Sequence, residues 1–171
     1  MFRAVGGLMV MAIVVAIAGC GPDERRLATD AELRGQFEQH RAAFDSLVAA
    51  AVADTQLVSV YRGATLGIYV RGTAAGDRLL TADEVQASGR SEYGRLLESV
   101  GLRKLDRQGR EPHVTFVMSA NRRLTKGLVH TLGSVAPQRA TLDDIDGSGP
   151  VTTAYVPLAP GWYLFVLPAA E

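Results

Sequence analysis

The stretch TTAYVPLAPGWYLFVLP, residues 152–168, carries the clearest signal for the fold. Its Pro160-Gly161 pair predicts a tight turn that joins two strands. The second strand is apolar on both sides. Trp162, Leu164 and Val166 point to one side, and Tyr163, Phe165 and Leu167 point to the other. Because a strand that is apolar on both faces must be covered on both, we expect this strand to lie inside a sheet.

A long helix is predicted near the start of the domain. Thr29 and Glu32 have the spacing of a capping box, and an apolar stripe then predicts one amphipathic helix over about residues 30–54. This helix is expected to cover one face of the last strand with three apolar side chains, Phe37, Phe44 and Leu47.

Shorter elements fill the rest of the chain. A second helix is expected over residues 82–88 and 91–100, and Gly101 is a typical stop signal. Short apolar or alternating runs predict strands at QLVSV, TLGIYV, LRKLDR, HVTFVMS and GLVHTL. This order favours an α+β fold, in which a long N-terminal amphipathic helix and a second shorter helix pack on one side of an antiparallel sheet.

The N-terminal segment has a different character. Arg3 gives it a basic start, and residues 5–18 follow with no charged side chain. Such a run is too short to cross a hydrocarbon core of about 30 Å but fits a secretory signal. It ends at IAGC, residues 17–20, which resembles the lipobox of bacterial lipoproteins. We predict cleavage between Gly19 and Cys20 and a covalent lipid on Cys20; the alternative is a plain signal peptide with an incidental cysteine.

These features divide the chain into three parts. They are a signal peptide over residues 1–19, a lipidated cysteine and tether over 20–28, and a single α+β domain over 29–171. Gly21 stands where an Asp would resemble an inner-membrane retention signal, so the outer membrane is favoured over the inner. The predicted location is the bacterial cell envelope, with the domain lipid-anchored and facing the periplasm. The membrane is therefore the first expected partner.

Charge and cysteine content exclude several classes of function. The chain has 18 basic and 18 acidic side chains, and this balance argues against a nucleic-acid partner, which would favour a clustered basic excess. Cys20 is the only cysteine, so the lipidated protein has no thiol for a disulfide, a thiolate metal site or a nucleophile. We expect no cofactor apart from the covalent lipid.

The acidic segment DDIDGSG, residues 143–149, invites comparison with a calcium-binding loop. Counted from Asp144, the twelfth position of an EF-hand loop is Tyr155, where a bidentate Glu is required. An Asp/Gly/Ser-rich turn before a strand is the ordinary interpretation, so we predict no metal site there.

The histidines are the remaining candidates for chemistry. His40 falls within the apolar stripe of the first helix and is expected in the core or at an interface. His113 and His130 can share an exposed sheet face with Thr115 and Ser119, which makes these four residues a candidate binding face. Since no nucleophile, base and orienting acid can be named together, we expect no enzymatic activity.

A basic loop is formed by Arg122, Arg123 and Lys126. Near a membrane, each cation close to anionic headgroups contributes on the order of 1 kcal/mol, so these residues are candidates for headgroup contact. The alternative is a solvated hairpin loop.

Three segments carry a resemblance that spans most of the chain. They are YGRLLESVGL, SANRRLTKGL and YVPLAPGWYLF, which follow the long N-terminal helix in this order. Together with the lipobox, they make the chain similar to small uncharacterised bacterial lipoproteins that end in a Trp-Tyr-Leu-aromatic strand. The resemblance implies no activity.

The sequence therefore predicts a membrane-anchored envelope lipoprotein with a non-catalytic binding domain. The expected partner is an envelope protein or a cell-wall component. The alternative is a small periplasm-facing hydrolase that acts on cell-wall or lipid material. A deep cleft that joins His113 or His130 to a carboxylate and a hydroxyl would favour the enzyme.

Overall fold

The computed structural model describes residues 26–63, 65–72, 76–108, 113–148, 150 and 152–169. The helices are α1 Asp30–Gln39, α2 Arg41–Ala53, α3 Ala82–Ala87 and α4 Ser91–Ser99. The strands are β1 Leu57–Arg62, β2 Leu66–Val70, β3 Arg78–Leu79, β4 Lys104–Gln108, β5 His113–Ala120, β6 Leu124–Thr131, β7 Ala154–Ala159 and β8 Trp162–Pro168. This content confirms the predicted α+β class. The expected signal peptide and the lipidation site at Cys20 lie outside the described residues.

The eight strands form one antiparallel sheet in the order β3-β2-β1-β4-β5-β6-β8-β7. The chain leaves β6, passes the position of β8 to form the edge strand β7 and then returns inward as β8. Gly161 has a positive φ of 74° at the turn between β7 and β8, a conformation that favours glycine. The prediction that β8 lies inside the sheet is confirmed, because it pairs with β6 on one edge and β7 on the other. The expectation that both of its faces are covered is wrong, because Phe165 and Leu167 line a groove on the side away from the helices.

The helices cover one face of β8 as expected. The Trp162 ring lies 5.0 Å from the Phe37 ring and 6.0 Å from the Phe44 ring, measured between centroids. It also stacks on Phe116 of β5 at 5.7 Å. Trp162 is buried among these rings, so it joins the helices to the middle of the sheet.

The prediction of one long N-terminal helix is wrong. His40 has φ −116° and ψ 20°, and it separates α1 from α2. Its N–H donates to the carbonyl of Gln36, while the N–H groups of Ala43 and Phe44 donate to the carbonyl of His40, so a new helix begins there. The apolar stripe keeps its phase across the break, and Phe37 and Phe44 still meet at 6.1 Å. Periodicity alone therefore gave no sign of the interruption.

The second helical region follows the prediction more closely. It consists of α3 and α4, and a capping box of Thr81 and Glu84 begins α3. Gly101 has a positive φ of 67° just after α4, which confirms it as the stop signal.

All four helices contribute to one hydrophobic core. They pack against a shared set of fully buried strand residues, which are Val60, Ile68, Leu105, Phe116, Leu128 and Leu164. Because side chains alternate along each strand, the residues between these point to the opposite face of the sheet. We call that opposite side the open face.

Candidate functional site

The open face contains a groove of about 670 Å³, within the range of small-molecule sites. Two cross-strand rows build it. The first row runs Lys104, Val117, Gly127, Phe165 and Tyr155, and the second runs Asp106, Thr115 and Val129. The charged groups therefore come from β4, whereas the apolar groups come from β5, β6 and β8.

Gly127 sets the shape of the groove floor. A Cβ added there would lie 1.9 Å from the carbonyl oxygen of Phe116 and 3.0 Å from Cε1 of Phe165. The Phe165 ring thus occupies the space that a side chain on β6 would fill. This close approach explains why Phe165 is only 1% exposed although it faces away from the helices.

The charged groups in the groove neutralise each other. Lys104 Nζ lies 2.9 Å from Asp106 Oδ2, and both side chains remain partly exposed. Burial lowers the pKa of His113, so its imidazole is neutral at pH 7. Burial also raises the pKa of Tyr155, so its hydroxyl remains protonated.

Four hydroxyl groups line the groove without internal partners. They belong to Thr115, Thr125, Thr153 and Tyr155. Within the described part of the chain, no hydrogen bond engages any of these hydroxyls, and none is sealed from solvent. Thr115 is 7% exposed and the other three residues are half-buried, so each hydroxyl can donate to and accept from a ligand that enters the groove.

The structure brings together two of the four residues predicted as a binding face. His113 and Thr115 both line the groove. Ser119 does not, because an irregularity in β5 between Val117 and Ser119 shifts the alternation. Ser119 instead lies opposite Lys126 on the helix side, and its Oγ accepts a hydrogen bond from the N–H of Ala28 at 3.0 Å.

His130 also lies on the helix side. It pairs with Val114 and with Trp162 across β6, and its ring meets the Trp162 ring edge-on at 5.0 Å. Burial lowers the pKa of His130 despite the nearby Asp45 carboxylate, which acts in the opposite direction. Its buried Nδ1 has no hydrogen-bond partner among the described residues. The prediction that His130 shares a face with His113 is therefore wrong.

Lys126 is not available for headgroup contact. Its side chain is 2% exposed, and its Nζ lies 3.1 Å from Asp30 Oδ1 and 2.9 Å from Asp143 Oδ1. Lys126 lies on β6 opposite Ser119, next to the irregularity in β5. Its side chain extends on the helix side of the sheet to Asp30, the first residue of α1. Arg122 and Arg123 are exposed, and the Arg123 guanidinium donates to the carbonyl of Gly147 at 3.0 Å.

The carboxylates of Asp143 and Asp146 in the acidic segment accept hydrogen bonds from within the protein. Asp143 accepts hydrogen bonds from the Asp30 N–H and from Lys126, and Asp146 accepts one from the Ser148 N–H at 2.7 Å. Gly149 lies outside the described residues. Among the residues described, no group of three or more His, Cys, Asp or Glu side chains is arranged to hold a metal ion.

Three groove residues were not predicted from the sequence, namely Lys104, Asp106 and Tyr155. The run LRKLDR already predicted a strand with Lys104 and Asp106 on one side. Only the strand order places that side next to Thr115 and, further along the row, next to Tyr155. Strand order depends on contacts distant in sequence, so a local pattern does not reveal it.

Comparisons of this chain with models of protein families, with curated proteins and with solved structures found no match. Over the residues that the structure describes, no helix is long and apolar enough to cross a membrane.

Proposed function

We propose that the protein is a membrane-anchored envelope lipoprotein whose domain binds a ligand or partner, without catalysis, in the groove of the open face. The observation that carries the binding role is the asymmetry of the sheet. One face is sealed by four helices, whereas the other holds a groove with four unpaired hydroxyls above an apolar floor. A concave apolar site with a few convergent polar groups is the usual form of a ligand site.

Support for the anchor comes from the sequence alone. The lipobox-like IAGC segment places Cys20 six residues before Arg26, the first described residue. Six residues span at most about 21 Å when extended, so a lipid on Cys20 would hold the domain near the bilayer. We propose the outer membrane as that bilayer, with the domain facing the periplasm and the partner an envelope protein or cell-wall component.

The anchor is tested by replacing the cysteine. Cys20→Ala is expected to abolish metabolic incorporation of palmitate and to block cleavage at the Gly19–Cys20 bond, because the acylated sulfur would be missing. Gly21→Ala is the matched control and should still be labelled. Palmitate labelling that persists in Cys20→Ala would contradict the anchor.

Binding at the open face is tested by photo-crosslinking in cells. A benzophenone amino acid at Thr125, inside the groove, is expected to give a discrete adduct with an envelope component. The same group at Thr55, in the exposed turn after α2, is the control and should not give that adduct. If position 125 yields no adduct while the protein accumulates normally, the binding role of the groove is wrong.

One observation bears on the alternative, a small periplasm-facing hydrolase. The groove gathers His113, Asp106 and Thr115, which are an imidazole, a carboxylate and a hydroxyl. However, the Asp106 carboxylate is paired with Lys104, and among the described residues no hydrogen bond links His113 to a carboxylate. A catalytic base normally has an orienting partner, so the geometry supports binding better than hydrolysis.

A further inference from the structure

The open face extends beyond the groove as an aromatic shelf. Tyr61 on β1 lies opposite Lys104, and Tyr69 on β2 lies opposite Leu79 on β3. Tyr61 and Tyr69 are 50% and 40% exposed, and Leu79 is 51% exposed. These three side chains lie on the same face of the sheet as the groove. Lys104 and Asp106 lie between them and the rest of the groove. Large apolar groups exposed together on a folded domain are typical of an interaction site.

The charge of this face restricts the kind of ligand. Among the described residues that line the groove, Lys104 and Asp106 are the only charged pair, and they satisfy each other at 2.9 Å. An anionic or cationic ligand would have to compete with this pair, and no uncompensated charge is present to favour either sign. The face thus matches an uncharged ligand.

The unpaired hydroxyls restrict the ligand further. An acyl chain over Thr115, Thr125, Thr153 and Tyr155 would take these hydroxyls out of water without offering a hydrogen bond in return, which is unfavourable. A ligand that carries many hydroxyls of its own avoids this cost. The shelf, meanwhile, offers the exposed rings of Tyr61 and Tyr69 to the apolar faces of a sugar ring.

A peptide strand fits less well, because its main contacts would be hydrogen bonds to a free sheet edge. At the β7 edge, the Tyr155 N–H donates to the carbonyl of Pro137, and the Arg139 N–H donates to the carbonyl of Tyr155. The other edge strand, β3, has only two residues. The open face itself presents side chains rather than unpaired backbone.

We propose that the open face binds an uncharged oligosaccharide, with sugar hydroxyls paired to the groove hydroxyls and sugar rings packed on the aromatic shelf. This inference rests on the proposed binding role of the groove and names its ligand class. The ligand spans from the shelf across β4 to the floor. Adjacent strands lie about 4.8 Å apart, so the five intervals from β2 to β8 provide about 24 Å for a chain of several sugar rings.

The test is calorimetric titration of the full lipidated chain in an amine-oxide detergent, which carries no sugar headgroup. The titrants are N-acetylchitotetraose, cellotetraose and maltotetraose, with tetragalacturonate as the charged comparison. At least one neutral tetrasaccharide is expected to bind, with a Kd that stays the same between about 0.05 and 0.5 M salt, because no charge is involved. Tetragalacturonate should bind more weakly.

Variants locate the site. Thr115→Val with Thr125→Val removes two hydroxyls and is expected to raise the Kd by about fivefold or more, since each lost hydrogen bond weakens binding by at least about twofold. Thr55→Val, on the exposed α2–β1 turn, is the matched control and should bind as the wild type does.

Two results would overturn the oligosaccharide proposal: no neutral tetrasaccharide binds, or the double variant binds as well as the wild type. If crosslinking from position 125 still succeeds in cells, only the ligand class is wrong. If that crosslink is also absent, the binding role of the groove fails with it.

Discussion

Lys126 and Lys104 each pair with aspartate, but they lie on opposite faces of the same sheet. Lys126 is 2% exposed and is enclosed by Asp30 and Asp143, whereas Lys104 is 44% exposed and pairs with Asp106 at the groove. The difference comes from what covers each face. A charge under the helices is out of contact with water and must be paired with an opposite charge of the protein. A charge on the open face is partly exposed and remains accessible to a ligand.

The buried pair also joins three separate parts of the chain. Asp30 begins α1, and its Oδ2 accepts hydrogen bonds from the Thr141 hydroxyl and the Leu142 N–H. Lys126 belongs to β6, and Asp143 belongs to the connection between β6 and β7. Burial would raise the pKa of Asp143, but its hydrogen bonds with Lys126 and with Asp30 outweigh this and lower the pKa. The cluster is therefore a structural feature of the covered face.

The largest expected effect is at the aromatic centre of the covered face. Trp162→Ala removes a ring that contacts Phe37, Phe44 and Phe116, and it should lower the free energy of unfolding by about 3–5 kcal/mol. Tyr69→Ala, on the exposed shelf of the open face, is the control and should change it by about 0.5 kcal/mol or less. Urea unfolding followed by circular dichroism measures both, and equal losses would contradict the distinction between the faces.

The second effect compares the two lysines directly. Lys126→Met leaves Asp30 buried without its cation and should lower the free energy of unfolding by about 3 kcal/mol. This is the lower end of the effect expected for a broken buried ion pair, because Asp143 is partly exposed. Lys104→Met breaks a partly exposed pair and should cost less than about 1 kcal/mol. The same urea experiment gives both values. A Lys126→Met protein as stable as Lys104→Met would show that the buried cluster is not structural.

A smaller effect concerns pH. Burial lowers the pKa of both His113 and His130 in the folded chain, so between that pKa and about 6.5 the unfolded chain binds more protons. The free energy of unfolding should therefore decrease as pH falls from 7 towards 5. His113→Gln and His130→Gln should each make this decrease shallower. Unfolding midpoints at successive pH values measure the slope, and an unchanged slope in both variants would exclude the two histidines as its cause.

The smallest effect on stability is expected at the shelf. Tyr61→Ala removes a half-exposed ring and should change the free energy of unfolding by about 0.5 kcal/mol or less, while it weakens saccharide binding in the calorimetric assay. Arg41→Ala, on the exposed surface of α2, is the control for binding and should leave the Kd unchanged. A large loss of stability in Tyr61→Ala would mean that the shelf belongs to the core.

The sequence predicted the elements better than their mutual arrangement. The β7–β8 turn, the alternation along β8 and the stop at Gly101 follow from local rules, and the structure has all three. Local rules did not show that only one side of β8 is covered by helices. The break at His40 escaped prediction because the apolar stripe continues across it. The irregularity between Val117 and Ser119 also escaped, and it moved Ser119 from the predicted face to the helix side.

The candidate site was predictable only in part for a similar reason. Alternation along β5 placed His113 and Thr115 correctly on an uncovered face. The position of His130 depends on the β5–β6 register, and the position of Lys126 depends on acidic partners 96 and 17 residues away in the chain. Neither leaves a local pattern in the sequence.

We propose that the covered face stabilises the fold while the open face is occupied by a ligand in the envelope. Cysteine labelling at Thr125→Cys tests this proposal, with Thr55→Cys as the control; the proposed lipid would block Cys20, and the unmodified sequence, labelled in parallel, shows whether it does. We predict that a maleimide labels position 125 rapidly in the purified protein and much more slowly in intact envelopes, while position 55 is labelled equally in both. Equal labelling of position 125 in both preparations would contradict the claim.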